Sequence, residues 1–336
     1  MASILHTLDP FALEISPGMG VRWYGLAYLT GFIVAWMVLR WMARTGRSMM
    51  TVRNADDFVT AMVLGVLVGG RVGHVVLYEP SLLWTFGSSF PFWGLLEIHK
   101  GGMSSHGGMA GVAVAVIWFA RTRGLPVLHV MDCSAFICCP GLMFGRLANW
   151  VNGELWGRAL PESMQASAPW WSVKYPTQVY EPSFDLSLAE PARAALAASG
   201  GGGGAGGTEA LSAQWPQYVV QACYSGNRAV IDALEPALTA YYPSNFFQAI
   251  TDGPILMGVL ALVWLKPRKP GVVAGWFLIT YGVLREVTEQ FREPDSGVSY
   301  VGPMTLPMFI SVVMVVVGGG MVVVCARRRV APSPLG

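Results

Sequence analysis

The stretch GRLANWVNGELWGR, residues 145–158, closes an apolar run that begins near His129 and is long enough to enter a membrane. It carries Arg146, Asn149, Asn152, Glu154 and Arg158. A charged side chain at a bilayer centre costs about 2.5–3.5 kcal/mol on insertion scales, so charges placed there face a cavity or a partner. Apolar runs also lie at about 21–43, 58–78, 107–121, 246–265, 273–291 and 303–325, beside this one at 129–152. Each except the short third run approaches the ~20 residues that a ~30 Å hydrocarbon core requires. The composition agrees. Of 336 residues, 53% are hydrophobic and 12% charged, with mean hydropathy +0.47, whereas soluble domains carry about 25% charged residues. The expected fold is an all-α polytopic membrane protein of about seven transmembrane helices, with a re-entrant glycine-rich loop and one longer outward loop.

The basic residues set the expected orientation. Arg44, Arg47 and Arg53, then Arg121 and Arg123, then Lys266, Arg268 and Lys269, then Arg327, Arg328 and Arg329 follow alternate runs. The loop from about 79 to 106 holds only Lys100, and segment 153–245 holds only Arg158, Lys174, Arg193 and Arg228. Cytoplasmic loops are the basic ones. The N-terminus and the long loop therefore face outward and the C-terminus is cytoplasmic. The first twenty residues lack the basic and cleavable features of a secretory signal, so the first span is expected to stay as an anchor.

Three domains follow from this reading. Residues 1–152 hold helices 1 to 4 and a re-entrant loop near 90–108. Residues 153–245 form an outward, periplasmic loop subdomain, and 246–336 hold helices 5 to 7 with a short basic tail. Within the loop, SGGGGGAGG at 199–207 is a flexible linker that buries no core. Its flanks, WSVKYPTQVYE (171–181) and EALSAQWPQYVVQACYS (209–225), are the parts able to pack. The five cysteines fit neither a disulfide framework nor a metal motif. No metal and no cofactor are expected.

Polar residues inside the runs carry the chemistry. Arg146, Asn149 and Gly153 share one helical face, as do Tyr281, Arg285, Thr288, Glu289 and Arg292. Arg71 and His74 interrupt the second run. The plain reading is structural pairing, Arg285 with Glu289 and Arg146 with Glu154. As a set, however, Arg71, Arg146, Arg285 and Arg292 outnumber Glu154 and Glu289, while Asp132 and Asp252 stand isolated. Excess buried positive charge needs an anion, and guanidinium forks fit phosphate oxygens. A second feature is HKGGMSSHGGMAG (99–111), where His106 lies between glycine pairs. Non-helical backbone at membrane depth must line a cavity, and histidine titrates near neutrality. A packed histidine is the plain alternative.

With these residues in view, the sequence resembles the prolipoprotein diacylglyceryl transferase family. The motifs are RWYGLAY (22–28), GGRVGHV (69–75), GGMSSHGG (101–108), GRLANWVNGELWGR (145–158), YPSNFFQ (242–248) and YGVLREVTEQFREPD (281–295). They follow the family's order over nearly the whole chain. The resemblance implies a seven-helix bacterial inner-membrane enzyme that moves the diacylglyceryl group of phosphatidylglycerol onto the lipobox cysteine of a prolipoprotein, forming a thioether and releasing glycerol phosphate. Its implied site residues here are Tyr24, His106, Arg146, Asn149, Glu154, Gly157, Tyr281, Arg285 and Glu289. Ala148 stands where the family usually has glycine, and Asn245 and Gln248 where it has glutamine and glutamate.

The chemistry needs these residue types. A thiol of pKa about 8.5 attacks as thiolate, and the lipid leaves as a phosphate gaining negative charge. Arg146 and Arg285 are expected to stabilise that phosphate, with Tyr281, Glu289, Gly157 and Arg71 also in the phosphatidylglycerol site. His106 is the candidate base, and Tyr24, Asn149 and Glu154 complete the catalytic set. Expected partners are phosphatidylglycerol, the prolipoprotein signal-peptide lipobox and the bilayer, with no nucleic acid. The alternatives are an anionic lipid or solute transporter, whose repeated halves are not seen, and a metal-dependent head-group transferase, which needs an aspartate cluster.

Overall fold

The computed structural model describes residues 3–16, 19–88, 91–97, 101–199, 214–293 and 300–328. It is mostly helical, and the seven expected runs all fold as helices: α1 Trp23–Arg44, α2 Val52–Leu77, α3 Ser105–Thr122, α4 Val127–Val151, α5 Ser244–Trp264, α6 Val272–Glu289 and α7 Leu306–Arg327. Five of them, α1, α2, α4, α5 and α7, are long and apolar enough to cross a membrane. α3 and α6 have 18 residues each and are interrupted by polar groups, His106 and Arg121 in one and Arg285, Glu286 and Glu289 in the other. By length and composition the structure thus gives five spans where seven were expected. Most of the glycine run lies outside the described residues.

By packing, the chain divides into two compact units. One comprises Met1–Tyr28, Leu142–Asp252 and Leu284–Phe309; the other comprises Leu29–Gly141, Gly253–Val283 and Ile310–Gly336.

In the second unit, α2 and α3 touch backbone to backbone through Gly65, Gly69 and Gly73 on one side and Gly107 and Gly111 on the other. A Cβ on Gly69 would lie 2.7 Å from the Gly111 Cα, and one on Gly111 would lie 2.9 Å from the Gly69 Cα. Small residues at four-residue spacing permit this closeness between membrane helices. Asp132 of α4 accepts hydrogen bonds from the Gly271 N–H (2.8 Å) and the Ala274 N–H (2.7 Å). It therefore satisfies donors that the first turn of α6 leaves open. The isolation expected of Asp132 is corrected: its partners lie about 140 residues away in sequence.

The first unit holds a small sheet of order β1-β4-β5, where β1 is Ile4–Leu5, β4 Val173–Lys174 and β5 Ala240–Tyr241. β2 (Phe11–Ser16) and β3 (Met19–Arg22) form a hairpin before α1, and β6 (Tyr300–Val301) and β7 (Met304–Thr305) form one before α7. Register pairs Ile4 with Val173 in parallel and Lys174 with Ala240 antiparallel. Two glutamines reinforce the third strand: Gln165 bonds the backbone of Ala240 and Gln178 that of Thr239. Beside the sheet, the short helices Glu190–Ala198, Trp215–Tyr224 and Arg228–Leu234 close a core of Leu196, Trp215, Val219, Cys223, Ile231 and Leu234. Burial pushes the Cys223 thiol up to about 12, so it packs as an apolar group.

His6, just after β1, is 2% exposed and ringed by Trp150, Tyr175 and Tyr224 at centroid distances of 5.5, 5.3 and 6.5 Å. Neither ring nitrogen has a hydrogen-bond partner among the described residues. Burial lowers its pKa; the nearby carbonyls of Trp150 and Val151 draw the other way without reaching hydrogen-bond geometry. The unfolded chain therefore binds this proton more readily, and stability rises with pH across the window. The contribution of neutral His6 is full above its ordinary value near 6.5 and is lost as pH falls below it. Thermal unfolding in detergent is expected to show a midpoint that drops between pH 7 and pH 5, by less in His6→Phe. An identical pH slope in that variant would remove His6 as the cause.

Candidate active site

Helix α4 ends in a turn that its own sequence dictates. Gly153 adopts φ +63°, the left-handed conformation that glycine permits at helix ends, and the Glu154 N–H returns to the Asn149 carbonyl at 3.1 Å. This reversal brings the Glu154 carboxylate onto the Asn149 amide, Nδ2 to Oε1 at 2.8 Å. The same amide donates to the Tyr24 hydroxyl at 3.3 Å. Asn245 of α5 donates to the Glu154 carbonyl at 2.9 Å, holding the turn from the other side. Three sequence-predicted residues, Tyr24, Asn149 and Glu154, thus form one network.

Gly157 follows, bridged to Arg292. A Cβ there would run into the Tyr242 carbonyl oxygen and lie 2.9 Å from that of Phe291. The close approach of three chain segments is what requires glycine. Gly157→Ala is expected to destabilise the unit by about 1–3 kcal/mol, the usual cost of overpacking, whereas Gly145→Ala, which meets nothing within 4 Å, is expected to be silent. Thermal midpoints of the two purified variants check this, and a silent Gly157→Ala would contradict the crowding.

One turn deeper, Arg146 donates through Nε to Asp252 Oδ2 at 3.4 Å, an ion pair whose side chains are 17% and 0% exposed. The Nη1 and Nη2 ends of Arg146 carry no hydrogen bond among the described residues. Arg285 pairs with Glu289 one turn on, Nη2 to Oε2 at 2.9 Å, and also acts electrostatically on Asp252. The buried Asp252 carboxylate holds Arg146, and Glu289 holds Arg285. Asp252 sits in a π-helical turn, Thr251–Ile255, containing Pro254. Proline at 254 has no N–H and its ring crowds the Ile250 carbonyl, and a widened turn relieves both.

Two expectations change here. Arg146 pairs with Asp252, not Glu154, and the charge count loses its excess: Arg146, Arg285 and Arg292 stand in this unit with Glu154, Asp252 and Glu289. Sequence reasoning treated Asp252 as isolated. Its signal was present nonetheless, because Asn245, Gln248 and Asp252 are spaced i, i+3, i+7 in an apolar run and all three are buried.

The remaining predicted residues belong to the other unit. Arg71 is buried and directs four donors at backbone carbonyls: Nε to Leu95 O (2.7 Å), Nη1 to Gly101 O (2.8 Å) and Gly102 O (3.0 Å), and Nη2 to Gly94 O (2.6 Å). It fastens the segment before α3 onto α2, which leaves little of its fork for a phosphate. His106 lies in the first turn of α3, after the N-cap Ser104, and not on the loop. Its neighbour Gly107 serves the α2–α3 contact. The imidazole is exposed and lines an apolar groove of about 650 Å³ between α2 and α3, with Val68, Val72, Val114 and Trp118. Tyr281 stacks on Phe277 at 5.7 Å. Among the described residues no group of three His, Cys, Asp or Glu side chains is arranged to hold a metal ion.

A multi-pass helical membrane protein with buried arginine–carboxylate pairs, Arg146 with Asp252 and Arg285 with Glu289, is the class these features define. The profile of the prolipoprotein diacylglyceryl transferase family matches residues 10–324. A phosphatidylglycerol–prolipoprotein diacylglyceryl transferase of Bdellovibrio bacteriovorus is 36% identical over 317 residues, covering 88% of this chain and 86% of that protein. Proteins of the same name from Bradyrhizobium diazoefficiens and Neisseria gonorrhoeae are 30% and 32% identical, over 97% and 93% of this chain and 94% of each relative. The chain belongs to the prolipoprotein diacylglyceryl transferase family and is a diacylglyceryl transferase.

Proposed function

We propose that the protein transfers the diacylglyceryl group of phosphatidylglycerol to the lipobox cysteine thiol of prolipoproteins, in the bacterial inner membrane, with its N-terminus outside, its C-terminus cytoplasmic and seven helices across the bilayer. The thiol sulfur forms a bond to the diacylglyceryl carbon, the bond from that carbon to the phosphate oxygen breaks, and its electron pair leaves on glycerol phosphate. The observation that carries the site is the Arg146 guanidinium, held through Nε by a fully buried carboxylate while its fork end stays unengaged among the described residues. A fork so oriented meets two phosphate oxygens at once. Arg285, fixed by Glu289, supplies the second cation for the charge that develops on the leaving group.

Tyr24, Asn149 and Glu154 hold the end of α4 in the shape that presents Arg146, and Gly157 lets the Tyr242 and Phe291 segments pass close beside it. Tyr281 and Glu289 support the same helix as Arg285. His106 takes the thiol proton, a role supported by its exposed imidazole at the start of α3. Arg71 moves from lipid binding to positioning, since its donors are committed to the segment ahead of that helix. No observation favours a transporter. The test is direct: purified protein, phosphatidylglycerol labelled in its diacylglyceryl part and a lipobox peptide, scored for label on the cysteine. Label remaining wholly in lipid would refute the assignment.

A further inference from the structure

The place of His106 is set from outside its own helix. Ahead of it the chain turns at Gly102 with φ +77°, and a Cβ there would lie 2.6 Å from His74 Nε2 and 2.7 Å from Arg71 Nη1. These two side chains are neighbours on α2, three residues apart, and both press on the turn. Neither is free to give way. Arg71 is held by the four carbonyls it meets, the Gly101 and Gly102 oxygens among them. The His74 ring lies 5.7 Å from that of Tyr78, centroid to centroid, and its Nε2 is 3.7 Å from Glu79 Oε2. Two residues past the turn, the buried Ser104 donates its N–H to the Gly70 carbonyl at 2.8 Å and accepts the Gly107 N–H on its hydroxyl at 3.2 Å. From Gly102 to Gly107 the chain is thus tied to α2 at the turn, at the cap and at the Gly73–Gly107 crossing.

This mould bears on the chemistry because the imidazole itself is exposed. Its reach toward a thiol follows from where α2 places its backbone. A general base acts only within hydrogen-bond reach of the proton it takes, and a displacement of about 1 Å, caused by a change away from the chemistry, can cost about 100-fold in rate. The neighbouring glycine separates crowding from backbone conformation. Gly101 also has positive φ, +91°, yet a Cβ on it would meet nothing within 4 Å.

We propose that Gly102 and His74 are positioning residues for the transfer reaction: the Gly102 turn, seated against His74 and Arg71, fixes where α3 begins and so where His106 meets the thiol. The proposal rests on His106 taking the thiol proton.

The experiment measures kcat and the KM for phosphatidylglycerol with a lipobox peptide as acceptor, using the full-length protein in mixed micelles. Gly102→Ala is expected to lower kcat by about 100-fold with that KM little changed. Gly101→Ala shares the cost of a left-handed alanine, so both variants are expected to melt lower, but it is expected to keep the wild-type kcat. Placed on His106→Gln, Gly102→Ala is expected to lose nothing further, as holds for residues that work as a unit. Adding His74→Ala to Gly102→Ala makes room for the new methyl and is expected to recover about 5-fold, the coupling of residues in contact. If Gly102→Ala does not accumulate, His74→Ala alone carries the test, since it adds no bulk: a lowered kcat that vanishes on His106→Gln is expected, and a wild-type kcat would overturn the proposal. So would a loss of equal size with and without the imidazole, or a Gly101→Ala as slow as Gly102→Ala. The base reading fails separately, if His106→Gln itself keeps the wild-type rate.

Discussion

Arg146→Lys and Arg285→Lys are each expected to lower diacylglyceryl transfer by about 100- to 1,000-fold, the loss seen when one preorganised donor to a developing anion is removed. Lysine keeps the charge. It loses the planar fork, and for Arg146 that fork is the part left unengaged among the described residues while Nε is anchored on Asp252. Both arginines act on the same buried carboxylate. If they hold one leaving group, their effects should fail to add, as they do for residues that work as a unit. The double variant is therefore expected to be little slower than the poorer single one. Initial rates from labelled phosphatidylglycerol, with protein level measured in the membrane, check this. Strictly additive losses would place the arginines at separate sites, and full activity in either single variant would leave that arginine a structural partner of Asp252 or Glu289.

The helices were legible because their signal is local. Apolar runs and the polar interruptions at 145–158 and 281–292 carry helix positions without reference to the rest of the chain, and the ion pair Arg285–Glu289 follows from one-turn spacing. What could not be read depended on distant contacts. Asp252 lies 106 residues from Arg146, so the polar stripe Asn245, Gln248, Asp252 marks a buried face without naming the cation that Asp252 meets. Arg71 looked like a lipid ligand by charge alone, yet its environment is four carbonyls from a glycine-containing segment. The glycines around His106 serve two different ends: Gly101 and Gly102 take the positive-φ turns that glycine permits, whereas Gly107 and Gly111 let α3 lie against Gly65, Gly69 and Gly73 of α2. In a helix–helix contact glycine is chosen for the absent Cβ, and sequence alone does not distinguish that use from a turn.

That contact also gives His106 a sharper test, because it separates the imidazole from the packing around it. Gly107 carries the helix crossing, while the His106 side chain is exposed and lines the groove. Replacing the imidazole should therefore spare the fold. His106→Gln keeps the size and a hydrogen-bonding group but cannot take a proton, and loss of a general base typically costs about 100- to 10,000-fold in rate. The deficit should depend on pH in one direction. Below a thiol pKa of about 8.5 almost all of the cysteine is protonated and the base must act; toward that value the thiolate is present without help. The ratio of wild-type to variant rate is thus expected to shrink steadily between pH 6.5 and pH 9, with the KM for phosphatidylglycerol little changed, since the proposed phosphate ligands are untouched. A variant with wild-type rate, or a deficit constant across that range, would make His106 a groove-lining residue and return the proton to another acceptor.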